Sequence, residues 1–311
     1  MRHLFIVNPA AGRKDRSESI RSTVESLLLT DPYDVLVTEA PGDATKKVCA
    51  YLQEHTGDFV RIYACGGDGT LCETANGVWE SGSRECAVGV VPIGSGNDFA
   101  KSFDVPADRF CNLRELTRGE IVPIDLLRVR DSEGTERISL NIVSAGFDAA
   151  VCKGQEKFKN WPLVSGSTAY NLSLAQCVFT KTKNRLRVIV DGEEVLDGKK
   201  PLLFAIAANG RYYGGGFKAS PYSDLSDGLL DFVAIDTVPK LRFVRLVGKF
   251  RAGRHIEEMQ DVVTYKQCKT MQICAEGMID MNVDGEIVPM RDPVIEIVPG
   301  AINVIVPKNA E

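Results

Sequence analysis

The sequence feature with the clearest chemical potential is a glycine-rich turn, GGDGT, which runs from Gly66 to Thr70. It follows the apolar run Phe59–Cys65, which is typical of a buried strand. Glycines let the backbone approach a ligand closely, so that N–H groups can meet phosphate oxygens at the start of a helix. Thr70 adds a hydroxyl, whereas Asp68 suits an anion site only if it binds a metal or accepts a proton. A tight strand-to-helix turn without a ligand is the alternative.

A second loop of the same kind, PIGSGNDFA, runs from Pro92 to Ala100 after another apolar run. Its Ser95 and Asn97 offer polar groups to a phosphate or a ribose. Polar residues and glycines also follow the two earlier apolar runs, from Asn8 and from Thr38. Loops at the carboxyl ends of neighbouring parallel strands line one crevice, so the four segments together predict a nucleotide site. The sequence has neither a Walker A motif nor a protein-kinase glycine loop, which leaves backbone amides, hydroxyls and a metal to bind the phosphates.

The residues before Pro123 must position these loops, and they alternate apolar runs with helical periodicity. The predicted strands are Leu4–Val7, Tyr33–Thr38, Phe59–Cys65 and Ala87–Ile93. The predicted helices are Ser17–Leu29, a second from Asp43 with the stripe Ala44, Val48, Tyr51 and Leu52, and a third after Thr70. Strands that alternate with helices predict a doubly wound parallel sheet.

The pattern changes near Pro123, after which apolar residues alternate with polar ones. Strand-like runs surround Val188 and cover 204–208, 230–235, 262–265, 271–275 and 279–283, with helices at 166–179 and 240–252. Asp-Gly pairs at 191, 227 and 284 mark turns. We therefore predict an α/β nucleotide-binding domain over 1–123 and a mostly antiparallel β-sandwich domain over 124–300. The active site is expected in the cleft between them, and a last strand over 301–311 is a candidate to return to the first domain.

Bulk composition narrows the class of protein. Charged residues make up 25% of the 311 residues and the net charge is -5, which argues against a nucleic-acid binder. The nine cysteines have irregular spacing without a C-x-x-C pair, which favours buried reduced thiols over disulfides or zinc. The amino-terminal apolar run is too short for a signal peptide, and no run is long enough for a transmembrane helix. The sequence therefore predicts a soluble, cytoplasmic protein.

The ordered series of motifs resembles the soluble diacylglycerol kinase family, which includes sphingosine kinases and bacterial lipid kinases. The resemblance runs through NPAAG from Asn8, the two glycine loops, Asn141 with GFDA from Gly146, GGGF from Gly214, DGLLD from Asp227 and NVDGE from Asn282. GGDGT alone is shared with NAD kinases, whereas the series is far more specific. The resemblance implies a lipid kinase that uses ATP and Mg²⁺. The nucleotide-binding candidates that follow from it are Asn8, Thr38, Gly66, Gly67, Asp68, Gly69, Thr70, Glu73, Gly94, Ser95 and Asn97.

The resemblance also implies a magnesium site on Asp224, Asp227 and the carbonyl of Leu229, which would brace the loop after Pro221. A plain hairpin turn at Asp227-Gly228 is the alternative.

NVDGE looks like the family's catalytic corner. A carboxylate there would accept the proton of the lipid hydroxyl. Asp284 and Glu286 are expected on the same side of an extended chain, with Glu286 slightly favoured as the base. Asp68 is the third catalytic candidate, and an ordinary turn without catalytic residues is the alternative.

The segment 240–254 holds six Lys or Arg and no acidic residue, with an apolar stripe of Phe243, Val247 and Phe250. A basic amphipathic helix of this kind predicts contact with a membrane surface, with packing on the β domain as the alternative. Lys153–Trp161 is a second candidate for the lipid entrance. The expected partners are ATP and a lipid substrate at the inner membrane face, without nucleic acid. A homodimer stays open.

Two other functions compete with a lipid kinase. A soluble-substrate kinase of the NAD kinase type is supported by GGDGT alone. A non-catalytic nucleotide-binding regulator would not need to keep Asp68, Asp284 and Glu286. A Ser-His-Asp hydrolase is disfavoured because none of the three histidines has a recognisable catalytic context.

Overall fold

The computed structural model describes residues 1–146 and 184–308. The chain forms two compact units: the first contains Met1–Ile124 and the chain from Gly300, and the second contains Asp125–Pro299. Three features predicted from the sequence lie outside the described residues: the helix at 166–179, the Lys153–Trp161 segment and the residues after Gly146 in the GFDA motif.

The first unit is built on a parallel sheet, as predicted. Its strands are β1 (Arg2–Val7), β2 (Tyr33–Val37), β3 (Val60–Gly66) and β4 (Cys86–Pro92). Its helices are α1 (Ser17–Ser26), α2 (Asp43–Glu54), α3 (Asp68–Ser81) and α4 (Leu113–Leu116), with 3-10 turns at Phe99–Ser102 and Ala107–Cys111. The strands lie in the order β2-β1-β3-β4 and each neighbouring pair is parallel.

Hydrophobic patterning explains these elements. Every residue of β3 and β4 is buried, as expected for parallel strands that helices cover on both faces. The predicted stripe of α2 is buried as a set, and it gives the helix an apolar face for the sheet. The prediction for α1 was too long, because the helix ends at Ser26 and Leu28 has a φ of 51°. That left-handed backbone ends the helix and leaves Leu28 85% exposed.

The second unit is mostly antiparallel, as predicted. The remaining strands belong to it, except that β5 begins and β16 ends in the first unit. They are β5 (Glu120–Arg130), β6 (Glu136–Ser139), β7 (Ile142–Gly146), β8 (Arg187–Val190), β9 (Glu193–Asp197), β10 (Leu202–Ala208), β11 (Leu230–Asp236), β12 (Val263–Cys268), β13 (Thr270–Cys274), β14 (Ile279–Val283), β15 (Glu286–Met290) and β16 (Val294–Val306). Its helices are α5 (Lys240–Arg251) and α6 (His255–Glu258). One sheet has the order β12-β11-β10-β7-β14-β15, and the start of β16 extends a second set, β16-β13-β8-β9.

β10 shows how the second unit divides its apolar residues. Ala205 and Ala207 face the core shared with β8, β13 and β16. Phe204, Ile206 and Ala208 face the opposite side, where α5 and α6 pack. Because successive side chains of a strand point to opposite faces, the continuous apolar run fills both layers. A helix therefore covers the outer face of this sheet.

The final strand, β16, begins in the second unit and ends in the first. Its early residues pair antiparallel with β13. Near its end, Val304 lies beside Val88 of β4 in a parallel arrangement. The described part of the chain contains no helix that is both long and apolar enough to span a membrane.

Cysteine side chains among the described residues are free thiols. Burial raises the pKa of the Cys86 thiol to about 11 and that of Cys268 to about 12, which keeps both protonated at neutral pH. Cys111 differs from the prediction of buried thiols because it is exposed.

Candidate active site

The strand order of the first unit creates a topological switch point between β1 and β3, where ligands of open α/β sheets bind. Asn8, directly after β1, lies at this point. Its backbone N–H donates to the carbonyl of Cys65 (3.0 Å). Its side-chain Nδ2 donates to Oγ1 of Thr70 (3.0 Å), and its Oδ1 accepts from the N–H of Ala10 (2.9 Å). Asn8 therefore joins the end of β1 to the first turn of α3.

The two glycine loops touch through their backbones. A Cβ added to Gly94 would lie 2.5 Å from the Cα of Gly67, a distance that real Cβ atoms do not reach. The N–H of Gly94 donates to the carbonyl of Gly66 (3.1 Å). A Cβ on Gly66 would lie 2.1 Å from Oγ1 of Thr70. The glycines therefore allow the two loops to approach each other. This is a second role, besides leaving room for a ligand.

Asp68 holds the second loop against the first. Its two carboxylate oxygens accept from the N–H groups of Asp98 (3.0 Å) and Phe99 (3.1 Å). Burial raises the pKa of Asp68, and the nearby Asp98 carboxylate raises it further, while the two amide hydrogen bonds act in the opposite direction. Asp98 is paired with Lys101 at 2.6 Å. The hydrogen bonds of Asp68 thus give this acidic residue of the first glycine loop a structural role, because they join the two loops.

Ser95 and Asn97 occupy different positions in the second loop. Ser95 is exposed at its tip, where its hydroxyl can reach a ligand. Asn97 has a φ of 53°, and its Nδ2 donates to the carbonyls of Pro92 (3.2 Å) and Gly94 (2.9 Å). Asn97 therefore closes the loop on itself, and Ser95 is the residue of this pair that offers a free surface.

Thr38 and Glu73 are occupied by contacts within the first unit. Thr38 is buried, and its N–H donates to the carbonyl of Val7 (2.9 Å). The Glu73 carboxylate accepts from the N–H of Ala44 (3.1 Å) at the start of α2. The residue that precedes α2 is Gly42, which has no side chain to cap the helix. Glu73, 29 residues away from Ala44 in the chain, supplies an acceptor there.

The start of α3 has the chemistry of an anion site. Its preceding residue is Gly67, so that no side chain caps the first-turn amides. Gly69, in that turn, has open space where a Cβ would stand. Uncapped N–H groups and the positive end of the helix dipole together attract phosphate. The residues around this helix start therefore fit a nucleotide phosphate.

Asp284 lies in the second unit, in the turn between β14 and β15. Asp284 and Gly285 have φ values of 48° and 97°, as in a type I′ hairpin turn. The expectation of an extended chain at Asp284 is therefore wrong. Its carboxylate accepts from the hydroxyl of Ser139 (2.7 Å) and from the N–H groups of Leu140 (2.9 Å) and Ile142 (2.8 Å).

Glu286 begins β15 immediately after this turn. Its partner in the ladder is Val283, and its side chain is exposed. The turn and the three hydrogen bonds of Asp284 fix the backbone from which Glu286 projects. Of the two carboxylates, Glu286 is the one that is free to meet a substrate.

The predicted magnesium ligands lie together in the loop before β11. Oδ1 of Asp224 accepts from the N–H of Ser226 (2.9 Å), and Oδ1 of Asp227 accepts from the N–H of Leu229 (2.9 Å). Burial raises the pKa of Asp227, and the carboxylates of Asp231, Asp224 and Asp125 raise it further. A divalent cation would relieve this crowding of negative charge, and carboxylate and carbonyl oxygens are the ligands that Mg²⁺ prefers. In the described ranges, no three His, Cys, Asp or Glu side chains form a ready metal cluster.

Asp125 is a site residue that the sequence reasoning missed. Its Oδ2 accepts from the N–H of Gly228 (2.7 Å), which ties β5 to the Asp227 loop. Asp125 is only 2% exposed, inside an apolar strand. A carboxylate within an apolar run is costly unless it is hydrogen-bonded, and that was the available signal. Asp231 is a second buried carboxylate with hydrogen-bond partners, because it accepts from the hydroxyls of Ser223 (2.6 Å) and Tyr265 (2.5 Å).

Two family models match different parts of the chain. Residues 2–129 match the "Diacylglycerol kinase catalytic domain", and residues 141–306 match the "YegS C-terminal NAD kinase beta sandwich-like domain". The chain belongs to the diacylglycerol kinase and YegS-like lipid kinase family.

Individual members of this family cover most of the chain. The chain is 29% identical over 310 residues to "Probable lipid kinase YegS-like" of Klebsiella pneumoniae, which covers 98% of this chain and 95% of the relative. It is 28% identical over 249 residues to "Diacylglycerol kinase" of Mycobacterium tuberculosis, with 80% and 77% coverage. A crystal structure of a Bacillus anthracis diacylglycerol kinase has the same fold, with a TM-score of 0.66, 20% identity and coverage of 98% and 96%.

Proposed function

We propose that this family member is an ATP- and Mg²⁺-dependent lipid kinase, which transfers the γ-phosphoryl group of ATP to a lipid hydroxyl. Diacylglycerol, which would give phosphatidic acid, is the first candidate substrate. The observation that carries the proposal is the contact between the two glycine loops at neighbouring strand ends, held by Asp68 beside the uncapped start of α3. The names of the relatives supply the substrate class.

The first unit binds the nucleotide in this proposal. The amides at the start of α3 and the hydroxyl of Ser95 contact phosphate oxygens. Asn8 keeps Thr70 and the end of β1 in register, and Asp68 keeps the second loop in place. Donors that are held before the nucleotide arrives do not have to reorganise during the reaction.

In the second unit, Asp224, Asp227 and the carbonyl of Leu229 would hold Mg²⁺. The cation would supply positive charge that offsets the repulsion among the loop carboxylates. Asp125, through Gly228, keeps the loop attached to β5.

Glu286 is the proton acceptor in this proposal. The lipid oxygen forms a bond to the γ-phosphorus, the bond from that phosphorus to the β–γ bridging oxygen breaks, and ADP leaves. The hydroxyl proton moves to the Glu286 carboxylate. Asp284 is less suited to this step because its carboxylate already accepts three hydrogen bonds. It acts instead by positioning Glu286.

The partners follow from this reaction. ATP comes from the aqueous phase, and the lipid comes from a membrane that the protein visits at its inner face. Access to the lipid in this proposal is by binding at the membrane surface.

Transfer of label from γ-³²P-labelled ATP tests the proposal. The full chain is incubated with Mg²⁺ and mixed micelles that contain diacylglycerol, a sphingoid base or a monoacylglycerol, and with NAD as a water-soluble control. Label in phosphatidic acid supports a diacylglycerol kinase, and label in another lipid keeps the reaction but changes the substrate. Label in NADP alone contradicts the lipid kinase, and ATP binding without transfer to any acceptor favours a regulator.

A further inference from the structure

Helix α5 of the second unit packs one face against a sheet and leaves the other face exposed. Phe243, Leu246 and Phe250 are buried against the outer face of the sheet that contains β10 and β11. They explain why the helix forms at this place. Val247 packs at the edge of the same core, whereas other residues of α5 form an outward face.

That outward face is apolar at two positions. Leu241 is 91% exposed and Val244 is 70% exposed. They lie three residues apart, so they are neighbours on the helix surface, and Gly248 adds an open position one turn further. Of the large exposed hydrophobic side chains among the described residues, Leu241 is the most exposed. A lone exposed leucine is ordinary, but an adjacent pair on a strongly basic helix indicates a binding surface.

Positive charge is in excess along this helix. The segment 240–254 contains six Lys or Arg and no acidic residue. Three of these cations are paired with carboxylates of other segments: Arg242 with Asp261, and Lys249 and Arg254 with Glu258. Arg245 is exposed next to Val244 and forms no ion pair with a described residue. The outward face therefore combines aliphatic side chains with an excess of positive charge, part of which Glu258 and Asp261 offset.

We propose that the outward face of α5, formed by Leu241, Val244 and Arg245, docks the protein on an anionic lipid surface. Leu241 and Val244 enter the boundary between headgroups and acyl chains, while Arg245 meets lipid phosphates. Charge complementarity selects this occupant, because a basic face with two aliphatic residues matches an anionic bilayer. The inference deepens the proposed lipid kinase, whose substrate lies in such a surface, but docking is measured independently of catalysis.

The far end of α5 connects this face to the magnesium loop. The guanidinium of Arg251 lies 5.6 Å from the ring centre of Phe217, and the carbonyl of Arg251 accepts from the N–H of Lys218 (3.4 Å). The chain then continues to Asp224 and Asp227.

Sedimentation with vesicles tests the docking face. The full chain is mixed with phosphatidylcholine vesicles, with and without phosphatidylglycerol, and the bound fraction is measured without ATP. Wild type binds the anionic vesicles more strongly than the neutral ones. Arg245→Glu lowers binding to anionic vesicles about tenfold or more, and Leu241→Ser with Val244→Ser lowers it by a similar factor.

Matched controls come from exposed residues elsewhere. Lys200→Glu makes the same charge change as Arg245→Glu, and Leu28→Asn removes a leucine that is 85% exposed in the first unit. Both controls bind like wild type, and all variants keep the wild-type circular dichroism spectrum. Unchanged binding of the α5 variants overturns the proposal, as does an equal loss in the controls. A change in self-association without a change in vesicle binding also overturns it, in favour of a second copy as the occupant. Loss of vesicle binding supports the docking face even if no lipid is phosphorylated.

Discussion

Gly94 approaches Gly67 so closely that a single added carbon would lie 2.5 Å from the Gly67 Cα. The contact is between two backbones, so neither loop can move a side chain away to make room. The two loops are therefore expected to move together. Asp68 strengthens the contact between them by accepting hydrogen bonds from the second loop. From this contact we predict effects of substitutions on stability that do not depend on a bound nucleotide.

Gly94→Ala should destabilise the first unit by about 1–3 kcal/mol, because the new Cβ forces the two loops apart. Gly69→Ala is the matched control, since its Cβ would meet open space in the first turn of α3. Alanine favours a helix over glycine, so this control should gain up to about 1 kcal/mol. Urea unfolding of both variants measures the difference, and a similar effect of the two substitutions would contradict the close contact.

Asp284 and Glu286 should separate stability from activity. Asp284→Ala leaves the donors of Ser139, Leu140 and Ile142 without their acceptor, which should cost about 2–4 kcal/mol of stability. Glu286→Gln keeps the size of an exposed side chain, so its stability should stay within about 0.5 kcal/mol of wild type. If Glu286 is the proton acceptor, its kcat should fall at least about 100-fold. Normal turnover of Glu286→Gln would remove this role, whereas a stable Asp284→Ala would contradict the structural one.

Magnesium should stabilise the wild-type protein against heat through the Asp227 loop. Asp227→Asn removes one carboxylate from the crowded group, which should raise stability in EDTA and abolish the gain that Mg²⁺ gives. Asp236→Asn, at the end of β11 and outside the loop, is the control and should respond to Mg²⁺ like wild type. Calorimetric melting with EDTA and with Mg²⁺ checks all three proteins without an activity assay. An equal Mg²⁺ effect on Asp227→Asn would exclude the site.

Acid should destabilise the second unit through His255. Its Nε2 lies 3.1 Å from the carbonyl of Ala219, and burial lowers its pKa from 6.5 to about 4. The unfolded chain binds the proton first, so this contribution to stability is complete above pH 6.5 and is lost as the pH falls from 6.5 to about 4. The loss amounts to up to about 3 kcal/mol.

Replacement of this histidine tests the assignment. His255→Gln keeps a donor for Ala219 but cannot take up a proton, so the stability of this variant should depend less on pH in that window. Urea unfolding at several pH values gives the slopes. An unchanged slope would show that His255 does not control the acid sensitivity.

Hydrophobic periodicity correctly predicted the helices and strands that position the site. The stripe of α2 and the runs of β3 and β4 were correct because periodicity reports directly which residues are buried. The roles of individual carboxylates were harder to predict, because their partners are distant in the chain. Asp284 is held by Ser139, 145 residues away, and Asp125 binds Gly228, 103 residues away. The same motif, NVDGE, fits a catalytic corner and a hairpin turn, and three-dimensional contacts are needed to distinguish Asp284 from Glu286.

The place of Val304 beside β4 also determines the order of events during synthesis. The first unit's sheet receives its last strand from residues that the ribosome adds after the whole second unit. At ordinary translation speeds this delay lasts roughly 10 to 40 s. During that time β4 has an unpaired edge, which is a template for wrong pairing. Pairing at this edge of β4 therefore has to wait until β16 emerges.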